Sequence, residues 1–137
     1  MQKMEKETTM TSMHAYQLVA GPHIAGFALH QNDRRHLLVI KDRIIPLTRT
    51  EYALTMILLH RVEQVQHASL GGRMNFFVSI SELLQVVPIS KETLRQHIRN
   101  ARTKLAPYGI SLASVGGYGY TVVFCDPGEQ DEALACT

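Results

Sequence analysis

The feature that most constrains the fold of this chain is the stretch of residues 89–105, which reads ISKETLRQHIRNARTKL. Apolar residues recur there at steps of four, three and four, which places them along one side of a helix. These residues are Leu94, Ile98, Ala101 and Leu105. Ser90 is a favourable N-cap, and Pro107 with Gly109 ends the helix. The pattern predicts a helix over residues 90–105 with one buried face and one basic face.

Positive charge is concentrated on this helix. Residues 83–124 contain five basic residues and one acidic residue, whereas the whole chain of 137 residues has a net charge of only +2. The rest of the chain is therefore net negative. A charge distribution polarised in this way favours a polyanionic partner.

Length and composition indicate one folded domain with flexible ends. The chain has 137 residues, of which 45% are hydrophobic, and this is enough for a core. We expect a flexible N-terminal extension over residues 1–22, a folded domain over 23–125 and a C-terminal tail over 126–137. No apolar run approaches the roughly 20 residues that cross a bilayer, and the polar N-terminus lacks the apolar centre of a secretory signal. A cytoplasmic protein without membrane contact is expected.

The first half of the domain changes from strand patterns to a helix. Residues 24–30, 35–41 and 43–47 have strand-like composition and short connections, which predicts three antiparallel strands in a meander. Thr48 followed three residues later by Glu51 is a capping box that begins a helix. This helix has apolar residues on several faces, so it should be the most buried helix of the domain.

The second half predicts a helix-turn-helix followed by a hairpin. Ser79 and Glu82 form a second capping box, and the short helix that they begin stops before Pro88. The connection to the basic helix is then only a few residues long, so the two helices must turn sharply against each other. Residues 111–124 alternate around a glycine-rich tip and predict a β-hairpin wing. The expected fold class is α+β, a winged helix-turn-helix with a small N-terminal antiparallel sheet, three helices and a C-terminal hairpin wing.

Four sequence blocks occur in the order found in the winged-helix DNA-binding domain of OmpR/PhoB-type response regulators, which this chain resembles. The blocks are LTRTEY at 47–52, SISELL at 79–84, HIRNARTKL at 97–105 and VGGYGY at 115–120. The resemblance covers residues 24–124 and implies binding to double-stranded DNA. Family members usually carry a receiver domain of roughly 120 residues ahead of this module. About 22 residues precede the sheet here, so we expect a stand-alone effector domain without a phosphorylatable receiver.

Three positions depart from the family pattern. Arg95 stands where the family usually has an acidic residue, Ala101 where it has a leucine, and Gly116 where it has an arginine at the wing. The base preference of the family is therefore not expected to carry over to this chain, and a minor-groove arginine is not expected at the wing tip.

The candidate DNA contacts follow from position on the helix and wing. The N-terminal half of a recognition helix enters the major groove, where arginine pairs with guanine and glutamine with adenine. Residues further along are better placed for phosphates, although Arg102 fits equally a pairing with an acidic residue of the scaffold. Tyr118 fits either the DNA backbone or a cap on the sheet. The predicted set is Lys91, Arg95, Gln96 and Arg99 for bases, Arg102, Thr103 and Lys104 for phosphates, and Asn100, Gly117 and Tyr118 as further contacts.

No pattern of catalytic residues accompanies these candidates. The chain has no nucleophile–base arrangement and no phosphate-binding glycine loop, and its seven histidines have no metal-ligand spacing. We therefore expect no enzyme activity, no cofactor and no metal. The leading hypothesis is a transcription regulator that places residues 90–105 in the major groove and the wing 111–124 on the flanking backbone or minor groove. RNA polymerase and a second copy of the chain, as a homodimer or in tandem on DNA, are further candidate partners. The alternative is a winged-helix module for protein contact or assembly, whose basic helix meets an acidic protein.

Overall fold

The computed structural model describes residues 17–24, 26–67 and 76–125. The chain divides into two compact units between Pro46 and Leu47. The first unit is an antiparallel sheet, and the second contains three helices and a hairpin. The predicted extent of the folded domain, 23–125, stays a prediction. The predicted tail and the first sixteen residues of the predicted extension lie outside the described residues.

The N-terminal unit is a four-stranded antiparallel sheet whose strands follow chain order. The strands are β1 (Val19–Ala20), β2 (Leu29–Asn32), β3 (Leu37–Ile40) and β4 (Arg43–Pro46). The predicted meander is confirmed for β2 to β4. There are two differences from the expectation: β1 lies in the segment predicted to be flexible, and the strand predicted over residues 24–30 is displaced to β2.

Local turns explain the displaced strand. Gly26 has a φ of 85°, and the amide of Phe27 donates to the carbonyl of Ile24 at 3.1 Å, so the first half of the predicted strand forms a tight turn. The Asn32 side chain accepts a hydrogen bond from the Arg35 amide at 2.9 Å. An asparagine that binds the backbone in this way begins a turn, and β2 therefore runs on to residue 32.

The β3–β4 hairpin has a strained two-residue turn. Lys41 and Asp42 have φ values of 48° and 71°, the type I′ geometry that favours Asn-Gly. Replacing Asp42 with glycine should remove this strain and raise the free energy of unfolding by about 0.5–1 kcal/mol, measured by urea unfolding of the full chain. The control is Asp33→Gly in the preceding turn, where φ is not positive and the carboxylate accepts from Gln31 Nε2 at 2.9 Å, so a loss of stability is expected. Equal losses in the two variants would contradict a strained turn.

The C-terminal unit is a winged helix. Its elements are α1 (Arg49–His67), β5 (Val78–Ser79), α2 (Ile80–Val86), α3 (Lys91–Leu105), β6 (Ile110–Val115) and β7 (Gly119–Phe124). Strands β6 and β7 form the predicted hairpin wing, and β5 adds to it as a third strand in the order β5-β7-β6. The predicted fold class is therefore confirmed.

Both predicted capping boxes are present. At α1, the amide of Glu51 donates to the Thr48 hydroxyl at 3.2 Å, and the amide of Thr48 donates to the Glu51 carboxylate at 3.0 Å. At α2, the corresponding bonds between Ser79 and Glu82 measure 3.0 and 2.8 Å. Each box satisfies amides that have no partner within the helix, so these two helix starts are fixed by local sequence.

The core of the winged helix consists of α1, α3 and the hairpin. Helix α1 is the most buried helix, as predicted, and α3 packs against α1 and β6. The buried residues of α3 are Leu94, Ile98, Ala101 and Leu105, each exposed by 1% or less. Burying a leucine or isoleucine side chain contributes about 1.5–3 kcal/mol. The apolar row read from the sequence therefore fixes which side of α3 faces away from the core.

Candidate nucleic-acid interface

A sharp turn joins α2 to α3. Helix α2 ends at Val86, and residues 87–90 connect it to α3. The Val87 side chain is buried, and its amide donates to the carbonyl of Leu83 at 2.9 Å, so the turn is held against the end of α2. Ser90 then begins α3 by accepting from the amide of Thr93 at 3.1 Å. This geometry confirms the predicted helix-turn-helix.

Three cations form a row on the exposed side of α3. Lys91, Arg95 and Arg99 are spaced by four residues, which places them above one another on the helix, and all three are exposed. We refer to these three residues as the basic row. None of their side chains forms a hydrogen bond or an ion pair within the described part of the chain. The basic row therefore presents unneutralised charge to any external partner.

The two remaining cations of α3 are engaged inside the domain. Arg102 donates from Nε to the carbonyl of Leu112 on β6 at 2.7 Å. Lys104 donates from Nζ to the carboxylate of Glu51 at the start of α1 at 2.6 Å. The scaffold partner of Arg102 is thus a backbone carbonyl, and it is Lys104 that pairs with an acidic residue. These two bonds fix α3 against β6 and α1, and the predicted phosphate contacts of both side chains stay predictions.

The uncharged candidates of α3 also have defined positions. Gln96 donates from Nε2 to Oδ1 of Asn100 at 3.2 Å, and both side chains are exposed. The Thr103 hydroxyl donates to the carbonyl of Arg99 one turn earlier at 3.1 Å. The Gln96–Asn100 bond aligns two amide groups beside the basic row.

The wing tip is attached to α2. Gly116 and Gly117 adopt φ values of 55° and 79°, and the carbonyl of the next residue, Tyr118, accepts from the amide of Ile80 at 2.9 Å. The Tyr118 side chain is 72% exposed. An open groove of about 560 Å³ lies between α2, the start of α3 and the wing tip. Its lining residues are Ile80, Ser81, Leu84, Gln85, Lys91, Gly117 and Tyr118. The structure thus brings the two predicted wing residues together with Lys91.

Sequence reasoning missed two parts of this region. Ser81 and Gln85 line the groove. Their spacing of four residues places them on one exposed face of α2, and this spacing is the sequence signal by which they could have been found. Arg61 donates to the carbonyl of Phe77 at 2.6 Å and to the carboxylate of Glu82 at 2.9 Å. This arginine holds the start of α2 against α1. No sequence signal marks it, because one of its partners is a backbone carbonyl.

Glu51 is a buried carboxylate whose charge is supported by its neighbours. The side chain is 2% exposed. Burial raises the pKa of Glu51, but the hydrogen bond from Lys104, the bond from the Thr48 amide and the positive charge of Lys104 together outweigh it. The pKa of this carboxyl therefore lies below its ordinary value of 4.5.

The Glu51–Lys104 pair predicts different roles for two lysines of α3. Lys104→Met should lower the free energy of unfolding by about 1–2 kcal/mol, because it leaves a buried carboxylate without its cation, and partial exposure of the lysine limits the loss. Lys91→Met is the matched control on the same helix and should change stability little, since its ammonium has no partner among the described residues. Urea unfolding at neutral pH measures both. Equal effects would contradict the distinction between the two lysines.

Acidification should remove the difference between wild type and Lys104→Met. Because the pKa of Glu51 is lower in the folded than in the unfolded chain, its contribution is present above pH 4.5 and is lost as the pH falls through the folded value. The lysine loses its partner over the same range. The stability difference between the two proteins should therefore shrink below about pH 4.5. A difference that stays constant in that range would mean that Lys104 stabilises the fold in another way.

The described residues contain no group of three or more His, Cys, Asp or Glu residues placed to hold a metal ion. Among the same residues, no helix has the length and apolar character needed to cross a membrane.

Comparison with known proteins supports the fold. No family model matches the chain, and no curated protein matches it. The structure is similar to one described as the crystal structure of the response regulator AdeR DNA binding domain in complex with an intercistronic region. The match covers 74% of this chain and 97% of that chain, with a TM-score of 0.53 and 21% sequence identity. The chain thus has the winged-helix fold that its resemblance to the OmpR/PhoB-type domain implied, and it shares this fold with the AdeR DNA-binding domain.

Proposed function

We propose that this chain binds double-stranded DNA through the exposed side of α3 in the major groove and regulates transcription. The observation that carries the proposal is the basic row: three exposed cations on the second helix of a helix-turn-helix, none of them neutralised within the described residues. When such exposed cations neutralise DNA phosphates, the counterions of those phosphates are released, and this release favours binding. The AdeR domain supports the proposal, because a protein of this fold is in complex with an intercistronic region.

The bonds inside the domain indicate that residues at different positions along α3 have different roles. Arg95 and Arg99 carry planar guanidinium groups suited to the O6 and N7 acceptors of guanine, and Gln96 is suited to adenine. Arg102 and Lys104 are bound to β6 and α1, so their first role is to hold the helix at a fixed angle. Base reading is therefore assigned to the N-terminal two thirds of α3.

The groove beside the wing is assigned to the DNA backbone. It combines the Lys91 ammonium, the Ser81 hydroxyl and the Tyr118 side chain next to the N-terminus of α3. Ammonium and hydroxyl groups are usual partners of phosphate oxygens, and such contacts set the register of a protein on the duplex. The wing then lies along the DNA strand that flanks the major groove.

Selection of bound sequences from a random duplex pool tests the proposal. We expect an enriched motif, and we expect the logarithm of the affinity for that duplex to fall linearly with the logarithm of the salt concentration. A motif in two copies at a fixed spacing would support dimeric or tandem binding, since one such domain buries only about 600–1,000 Å² of its surface on DNA. No enriched motif together with no salt dependence would overturn the proposal.

One observation favours a second candidate, a module for protein contact. Phe76, Val86 and Tyr118 are exposed by 55%, 63% and 72%. Exposed apolar side chains of this size are found at protein interfaces, and RNA polymerase or an assembly partner would be suitable classes. A stoichiometric protein partner that binds through these three side chains, combined with no affinity for duplex DNA, would favour this candidate over the first.

A further inference from the structure

Glu92 is the only acidic residue of α3, and it is exposed. We propose that Glu92 determines base specificity by accepting a hydrogen bond from an amino group in the major groove, the N4 amino group of cytosine or the N6 amino group of adenine. The inference rests on the proposed function, and it assigns to this residue a role that the charge of the basic row alone would not suggest.

The start of α3 is complete without Glu92. In α1 and α2 the acidic residue stands three positions after the N-cap, where it closes the capping box. In α3 that position is occupied by Thr93, whose amide donates to the Ser90 hydroxyl at 3.1 Å and whose own hydroxyl accepts from Ser90 at 2.9 Å. Glu92 lies one position earlier and takes no part in this cap.

Helix geometry places Glu92 on the side of α3 assigned to DNA. It precedes the buried Leu94 by two residues, which turns it to the side of the helix away from the core. Gln96 follows it by four residues and Arg99 by seven, so the three share one side of the helix. The carboxylate therefore lies among the side chains proposed to read bases.

The Glu92 carboxylate has no partner within the described residues. This separates it from Glu51 and Glu82, each of which receives a backbone amide and a cation. Arg95 follows Glu92 by three residues, a spacing that permits an ion pair on a helix, and yet the two side chains are not paired. Both charges are left available to an external partner.

An exposed carboxylate on a DNA-binding face selects strongly among bases. Phosphates repel it, so its presence costs affinity unless it meets a hydrogen-bond donor. In the major groove, cytosine and adenine offer an amino group, whereas the edges of guanine and thymine offer only acceptors for hydrogen bonds. Glu92 would accordingly accept cytosine or adenine at one position of the site and reject guanine and thymine there.

Selection from a random duplex pool with wild type and Glu92→Ala tests this inference. We expect the wild-type motif to contain one position restricted to cytosine or adenine, and the base enriched there identifies the amino group. Glu92→Ala should keep the rest of the motif and lose the restriction at that position. In competition binding, wild type should prefer the amino-bearing base about 5- to 150-fold, and the variant should show no such preference.

The matched control is Glu63→Ala, which removes a carboxylate from α1 that lies 3.5 Å from His60 and should leave the motif unchanged. If Glu92→Ala enriches the wild-type motif and binds every duplex more tightly, the carboxylate only interacts favourably with the positive end of the α3 dipole. This outcome would overturn the inference and leave the proposed function intact. If wild type enriches no motif, the proposed function fails, and the role of Glu92 fails with it.

Discussion

Gly119→Ala should lower the free energy of unfolding by about 3 kcal/mol, the upper end of the usual range for an overfilled site. A β-carbon at Gly119 would overlap the carbonyl oxygen of Val78 and would lie 2.9 Å from both the Phe77 ring and the Cα atom of Ser79. Two of these obstacles are backbone atoms of β5, which pairs with β7 at this position. The backbone can yield only by opening the pairing that attaches the wing to the start of α2.

Gly117→Ala is the matched control for this prediction. It lies two residues earlier in the same wing, and a β-carbon there would meet nothing within 4 Å. Its φ of 79° disfavours an alanine, so a loss of about 1 kcal/mol is expected from the backbone alone. Urea unfolding of both variants measures the difference. Equal losses would show that the close approach of β7 to β5 does not limit the residue at position 119.

Arg95→Ala and Arg99→Ala should each weaken binding to the selected duplex by about 5- to 150-fold, the value of one good contact between a side chain and a base. Both side chains are exposed and unpaired within the described residues, so the free energy of unfolding should change little. Binding to unrelated duplexes should weaken less, because only one charge is lost. Competition between the selected duplex and single-base variants of it measures the discrimination.

Variants of two other arginines distinguish the loss of a charge from the loss of a base contact in this experiment. Arg34→Ala removes an exposed charge from the β2–β3 turn and should leave discrimination between duplexes unchanged. Arg102→Ala removes the bond to Leu112 and should lower both stability and affinity. If Arg95→Ala and Arg99→Ala behaved like Arg34→Ala, the basic row would act only through charge, and base reading would have to be assigned elsewhere.

The sequence was sufficient to place an element wherever interactions between nearby residues set its limits. The buried row of α3, its N-cap and its end near Pro107 all follow from residues within one element, and the structure confirms them. The capping boxes at Thr48 and Ser79 are likewise short-range signals. Elements whose limits depend on such signals were placed correctly within a residue or two.

The sequence was insufficient to predict a side-chain bond whose partner is distant in the chain or is a backbone atom. Lys104 and Glu51 are 53 positions apart, and Arg61 and Arg102 bind carbonyl groups that no side-chain pattern reveals. Strand β1 was missed because two exposed residues form no alternating pattern. These long-range bonds decide which cations of α3 support the fold and which have no partner within the described residues. The sequence divided the candidates by their position along the helix, and it could not show that Arg102 and Lys104 are bound inside the domain.

The proposed function requires that the exposed side of α3 reads bases in the major groove. This claim is tested by the affinity for the selected duplex when each guanine is replaced in turn by 7-deazaguanine, which lacks the N7 acceptor of the major groove. The prediction for wild type is a loss of about 5- to 150-fold at one or more guanines. Arg95→Ala or Arg99→Ala should show no further loss at the guanine that its arginine contacts. Unchanged affinity at every guanine would contradict the claim.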